Sequence, residues 1–150
     1  MGVRTSSELA TLQIGGVTLV LDAHRIKEIF TQPDADSVKR GKVTIRGEDL
    51  PVLNPAGNLG LTLNCESGVT FFIIENERSF GDDDRTSALA IDGGKVWMFQ
   101  YVGVGIAKPC DPSNPFAPYA YESWGEAPDQ YVFPDFWAAS GEAPEKWSWE

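Results

Sequence analysis

The chain has 150 residues, 42% of them hydrophobic and 23% charged, proportions that exclude fibrous and disordered classes and fit one compact domain, or two very small barrels sharing a core. A formal charge of −10 and a pI near 4.5 set the surface against phosphate backbones and anionic lipid, so nucleic acid is not an expected partner, while basic proteins remain acceptable ones. No apolar run approaches the roughly 20 residues a membrane helix needs, and Met1–Glu8 carries no apolar signal segment, which predicts no membrane insertion and a cytoplasmic location.

Ala10–Ile14 and Val17–Leu21 are apolar, β-branched runs separated by Gly15-Gly16, a dipeptide that accepts positive φ at both turn positions, and they predict an opening β-hairpin. Ala23–Gln32 satisfies two periods, because Ile26, Ile29 and Phe30 fall at helical spacing while Ile26, Glu28 and Phe30 alternate; a strand is the preferred reading. Pro33–Ser37 is a loop by its turn residues. In Gly41–Leu53, Val43 and Ile45 alternate with Thr44 and Arg46, a turn built on Arg46-Gly47 follows, and Leu50, Val52 and Leu53 resume the apolar pattern. That arrangement predicts a hairpin with Arg46 on the face opposite Val43 and Ile45, where its planar fork of five donors suits a partner's carboxylate or carbonyls. Val69–Ile74 is short and continuously apolar, as for a strand covered on both faces. Glu75–Arg85, with Asp82, Asp83 and Asp84, reads as a solvated loop, and Ser87–Ile91 and Val96–Val102 flank Asp92-Gly93-Gly94 as a further hairpin.

From Lys108 the composition shifts. Seven of the ten prolines lie in the last 43 residues, together with eight acids and two lysines. Such a segment cannot continue a sheet interior, yet Phe116, Tyr119, Tyr121, Trp124, Tyr131, Phe133, Phe136 and Trp137 are too apolar to leave in water. It is expected to wrap the chain's own core in preference to a partner surface. The domain reading is therefore a β-barrel domain over 1–108 and an irregular, Pro/aromatic-rich acidic tail over 109–150, packed on the domain or on a partner.

Residue sets for catalysis and metal binding are not found. His24 is the only histidine and no Gly-x-Ser-x-Gly elbow accompanies it. Cys65 and Cys110 lack the paired spacing of a zinc or redox site, which predicts reduced thiols, with Cys65 a buried or inert one. Asp82–Asp84 lacks the alternate spacing of a hard-cation loop, and Gly103-Val104-Gly105 lacks the helix and lysine of a phosphate loop. Met1-Gly2-Val3-Arg4-Thr5-Ser6 matches only the short myristoylation pattern. No cofactor, metal or enzymatic activity is expected.

Residues 10–61 resemble the first part of the CheW-like domain, the adaptor fold of bacterial chemotaxis that couples receptors to the histidine kinase CheA. Ile26-Lys27-Glu28-Ile29 stands where the family has Val-x-Glu-Ile, and Gly41-Lys42-Val43-Thr44-Ile45-Arg46-Gly47-Glu48-Asp49-Leu50-Pro51-Val52 keeps Gly41, Arg46, Gly47, Pro51 and Val52 in register with the family signature. Leu59-Gly60-Leu61 suits the end of that block, and Ala88–Asp92 faintly matches a Gly-Leu-x-Val-Asp strand further on. Thr44 replaces an asparagine, Lys42 an apolar residue and Asn54-Pro55 an Asp-Leu pair, departures that reshape the loop around Arg46.

The resemblance implies a mainly β fold of two small five-stranded β-barrels, the second degenerate here, with a groove between them. It implies adaptor work through surface contacts with protein partners, a histidine kinase regulatory domain and a receptor signalling tip. Partner-binding positions carried over or flanking the motif are Arg46, Glu28, Ile26, Gly41, Thr44 and Gly47, with Arg46 and Glu28 on neighbouring strands near the receptor-facing surface. A strand-to-strand ion pair without binding duty is the structural alternative for those two. Two other functions remain open: an accessory or assembly subunit using barrel and aromatic tail, and a small-molecule or carbohydrate-binding protein with Trp124, Tyr131 and Trp137 as a stacking platform.

Overall fold

The structure is a computed structural model and describes residues 3–66, 68–75, 86–93, 97–106, 111–124 and 131–142. Asp82–Asp84, Cys110 and the amino-terminal Met1-Gly2 lie outside the described residues.

The chain is mainly β. β1 (Val3–Ile14) turns through Gly15 and Gly16, at φ 57° and 83°, into β2 (Val17–Asp22), the expected hairpin. A single 3-10 turn, Ala23–Arg25, leads to β3 (Ile26–Gln32), whose burial alternates residue by residue, so the strand period of that segment prevails over the helical one. Asp36–Arg40, expected within or beside a loop, forms the short helix α1, ended by Gly41 in the left-handed region. β4 (Lys42–Ile45) and β5 (Glu48–Leu53) follow as the second expected hairpin. Asn54 then starts α2 (Pro55–Leu59), its side chain accepting from the Gly57 N–H at 3.1 Å with proline in the first turn, where a missing N–H costs nothing.

β6 (Val69–Glu75) and β7 (Thr86–Asp92) complete a five-stranded sheet of order β3-β6-β7-β5-β4. Its pairs are antiparallel except β5 with β7, which run parallel, Val52 opposite Ala88. β8 (Trp97–Ile106) does not form a hairpin with β7, contrary to the reading of Asp92–Gly94 as a turn: it pairs with β1, giving a separate sheet of order β2-β1-β8. The Asp92 carboxylate instead reaches back to the first hairpin. It accepts from the N–H groups of Gly15, Gly16 and Asn64 at 2.8, 2.9 and 3.0 Å, which satisfies a carboxylate that is only 8% exposed. The glycine at position 15 is required sterically as well, since a Cβ there would meet the Leu61 Cβ at 2.8 Å.

The central strands of the five-stranded sheet, β6 and β7, are buried on both faces, as the unbroken apolar run of β6 predicts. Val69, Phe71 and Ile73 face one core with Val43, Leu50, Ala88 and Ala90, and Val38, within α1, and Ala35, just before it, pack against it. Phe72 and Ile74 face a second core with Leu89 and Ile91, shared with Leu12, Leu19 and Leu21 of the first hairpin. The carboxyl-terminal segment supplies the rest of that second core. It is not wholly irregular: after a 3-10 turn at Ala117–Tyr119 it forms β9 (Ala120–Trp124), β10 (Tyr131–Pro134) and α3 (Phe136–Ala139), and Phe116, Val132, Phe136 and Trp137 are buried in the shared cluster. Asp135 caps α3 by accepting from the Trp137 and Ala138 N–H groups, and the Asn58 amide donates to the Ala139 carbonyl at 2.9 Å, tying α3 to α2.

Candidate functional site

β4 and β5 are joined by a two-residue turn, Arg46-Gly47, with φ 53° and 79°. Both values are positive, the geometry of the turn whose twist matches that of a hairpin and which Asn-Gly serves most easily. Arg46 is therefore a turn residue and not carried by a strand, and among the described residues it is the non-glycine residue with positive φ. A long side chain held in this region is strained by roughly 1–2 kcal/mol. The turn projects the guanidinium from the end of the hairpin to β3, the opposite edge of the five-stranded sheet, so the sheet curls until its edges approach.

There Arg46 Nη1 donates to Glu28 Oε1 at 2.9 Å and Nη2 to Glu28 Oε2 at 2.8 Å, a parallel bidentate fork. The Arg46 side chain is 78% exposed and that of Glu28 31%. The pair thus brings together the two charged positions singled out from the sequence. It fixes the orientation of Arg46 and leaves three of its five N–H donors for another molecule.

The other expected site residues divide. Gly47 completes the turn. Gly41 ends α1, its N–H donating to the Ser37 and Val38 carbonyls at 3.0 and 3.2 Å, so its role is local structure. Thr44 stands opposite Asp49 on the exposed face of the hairpin and its hydroxyl donates to the Asp49 carboxylate; Lys42 lies 3.7 Å from the same group. These two neighbours, the Thr44 hydrogen bond first and the Lys42 charge second, hold Asp49 below the usual carboxylate range. Ile26 is half-buried against the core shared with the first hairpin. Ile29, on the other face of β3 from Glu28, is 42% exposed.

Beside the ion pair the curled sheet opens into a cleft of about 140 Å³ lined by Glu28, Ile45, Arg46, Glu48, Leu50, Ile73 and Thr86. Every strand of the five-stranded sheet contributes a residue. Ile73 and Leu50 are buried, Glu48 is exposed at the rim, and among the described residues no side chain pairs with Glu48. Glu48, Ile73 and Thr86 were not singled out from the sequence. Glu48 had a signal in its place next to the turn, whereas Ile73 and Thr86 join the site only through strand pairing.

Nothing in this arrangement is a nucleophile poised beside a base. His24 is exposed on its 3-10 turn, and Cys65 is exposed as well, which removes burial from the two readings of its thiol, buried or inert; the thiol lies 3.6 Å from the Leu63 carbonyl. Among the described residues no three His, Cys, Asp or Glu side chains are grouped as a metal site, and no helix is long and apolar enough to cross a membrane. The stacking platform loses Trp137, which is 1% exposed in the core; the side chains of Trp124 and Tyr131 lie outside the described set.

No family model and no curated protein sequence matches the chain. Among solved structures it is similar to the scaffolding protein TtCheW from Thermoanaerobacter tengcongensis, with a TM-score of 0.57 and 13% identity, over 87% of this chain and 85% of that one. The chain has a CheW-like fold, strongly diverged in sequence.

Proposed function

We propose that the protein is a non-catalytic adaptor that couples protein partners of the chemoreceptor and histidine kinase type in a cytoplasmic signalling assembly. The observation that carries this reading is the Arg46–Glu28 fork: an arginine kept at a strained turn, largely exposed, and held in one orientation by a bidentate carboxylate. An exposed pair contributes at most about 1 kcal/mol to stability, which does not account for the strain, whereas presenting oriented donors to a partner does. The fold shared with a scaffolding protein supports the same reading. Within it, the curled five-stranded sheet is one small barrel bearing the Arg46 surface, and β1, β2 and β8 form the basis of a degenerate second one. Residues 1–108 carry the partner surface, and Phe116, Val132, Phe136, Trp137 and Ala139 of the segment beyond it complete the core in place of a second docking face.

The test is an affinity pull-down from native cytoplasm with the wild type and with folded Arg46→Ala. Selective loss of a receptor or histidine kinase from the variant is the expected outcome. Identical capture by both proteins would overturn the reading and reduce the pair to a strand-to-strand ion pair.

A further inference from the structure

The geometry points to the cleft beside Arg46 as a socket for one aliphatic side chain of a protein partner, with a lysine or arginine of that partner next to it in sequence. The assignment rests on the reading of the Arg46 face as a partner surface and specifies what that surface recognises. A volume of about 140 Å³ is several times the ~30 Å³ share of a water molecule and well below the ~300–1,000 Å³ of a small-molecule site. It suits a single side chain. The floor is apolar, made by Leu50 and Ile73, which are 8% and 6% exposed, with Ile45 beside them. Such a floor is best dried by a hydrocarbon group, because the effect scales with apolar area removed from water.

The rim decides the flanking chemistry. It holds two carboxylates and one guanidinium, and the guanidinium is spent on Glu28 through both of its oxygens. Among the described residues Glu48 remains as the uncompensated charge of the rim, in a protein of formal charge −10. A basic residue beside the inserted side chain pairs with Glu48, while an acidic one is repelled. Arg46 lines the same mouth, and its remaining N–H donors suit the carbonyl oxygens of the inserted segment.

The whole protein is titrated by NMR with three synthetic peptides, Gly-Lys-Leu-Lys-Gly, Gly-Lys-Ala-Lys-Gly and Gly-Glu-Leu-Glu-Gly, following the methyl signals of Ile45, Leu50 and Ile73. The first peptide is expected to shift these signals saturably, and the other two to bind about tenfold more weakly or less, one for want of hydrocarbon and one for want of complementary charge. Glu48→Lys, at an exposed position, removes the preference for the Lys-flanked peptide, and Glu48→Gln weakens it with the least structural change. Equal binding of the Leu and Ala peptides, shifts away from the cleft, or no saturable binding of any peptide would overturn the assignment. Its failure is separable from that of the adaptor reading. Partner loss on Arg46→Ala without peptide binding removes only the socket, and peptide binding with unchanged partner capture by Arg46→Ala removes the adaptor.

Discussion

At Arg46 two energies oppose each other. The left-handed backbone costs an L residue about 1–2 kcal/mol that glycine escapes, and the exposed fork to Glu28 returns at most about 1 kcal/mol. Arg46→Gly is therefore expected to leave the melting temperature within about 4 °C of the wild type while removing partner capture; a thermal melt beside the pull-down checks both. A fall well beyond that range would assign the arginine to stability. Asp49 gives the pH-dependent case. Its folded-state pKa is lowered by the Thr44 hydrogen bond and the Lys42 charge, so the stabilisation is present above the ordinary value of 3.8 and is lost as pH falls below it. Thr44→Val deletes the larger cause, and an NMR titration should show the Asp49 carboxyl moving up toward that ordinary value. Thr44 thus ties the exposed face of this hairpin to the facing strand. The presence of a turn at Arg46-Gly47 was legible from the residues; that its first position holds the arginine at φ 53° was not, because Asn is the expected residue there.

Between elements, Asp92 does what a hairpin turn was expected to do. Its carboxylate gathers three backbone N–H groups from the Gly15-Gly16 turn and from Asn64, and so joins the end of β7 to the first hairpin and to the loop before β6. Asp92→Ala strands those donors near the interior, and charge-assisted bonds of this kind contribute about 1.5–3 kcal/mol each before overlap. A loss of about 2–4 kcal/mol in urea unfolding is expected; a loss below 1 kcal/mol would mean water replaces the carboxylate without penalty. The misassignment of β7 and β8 has the same origin. Gly93 and Gly94 suit a tight turn locally, yet β7 finds two partners in the five-stranded sheet and β8 finds β1, and a dipeptide carries no record of that competition.

For the whole molecule, the division into domain and tail has a definite energetic content. Phe116, Val132, Phe136 and Trp137 lie in one cluster with Leu12, Leu19, Phe72 and Leu89, so residues beyond 108 help to bury the first hairpin against the five-stranded sheet. Trp137→Ala should cost about 3–5 kcal/mol, and a chain ending at residue 108 should lose cooperative unfolding by circular dichroism. A truncated chain that still melts cooperatively near the wild-type temperature would show that the segment only covers a finished core. The aromatic content of the segment announced burial; the proline content argued against regular structure, and β9, β10 and α3 exist because the prolines at 118 and 134 fall at the start of a 3-10 turn and at the end of a strand.

What the sequence determined by itself is local and periodic. Alternation in β3 to β5, the unbroken run of β6, the glycines at the first hairpin and the spacing from Gly41 to Val52 specify strands, turns and which faces must leave water. They also carry the likeness to the CheW-like fold. Only the tertiary structure decided what covers each face: the parallel pairing of β5 with β7, the two cores on either side of β6, the entry of Trp137 into one of them, and the curling that brings Glu28 to Arg46 and opens the cleft beside them. The physical reason is that burial of apolar surface is non-directional. A pattern of side chains states how much surface must be hidden, and the competition among all packings of the chain selects the partner that hides it.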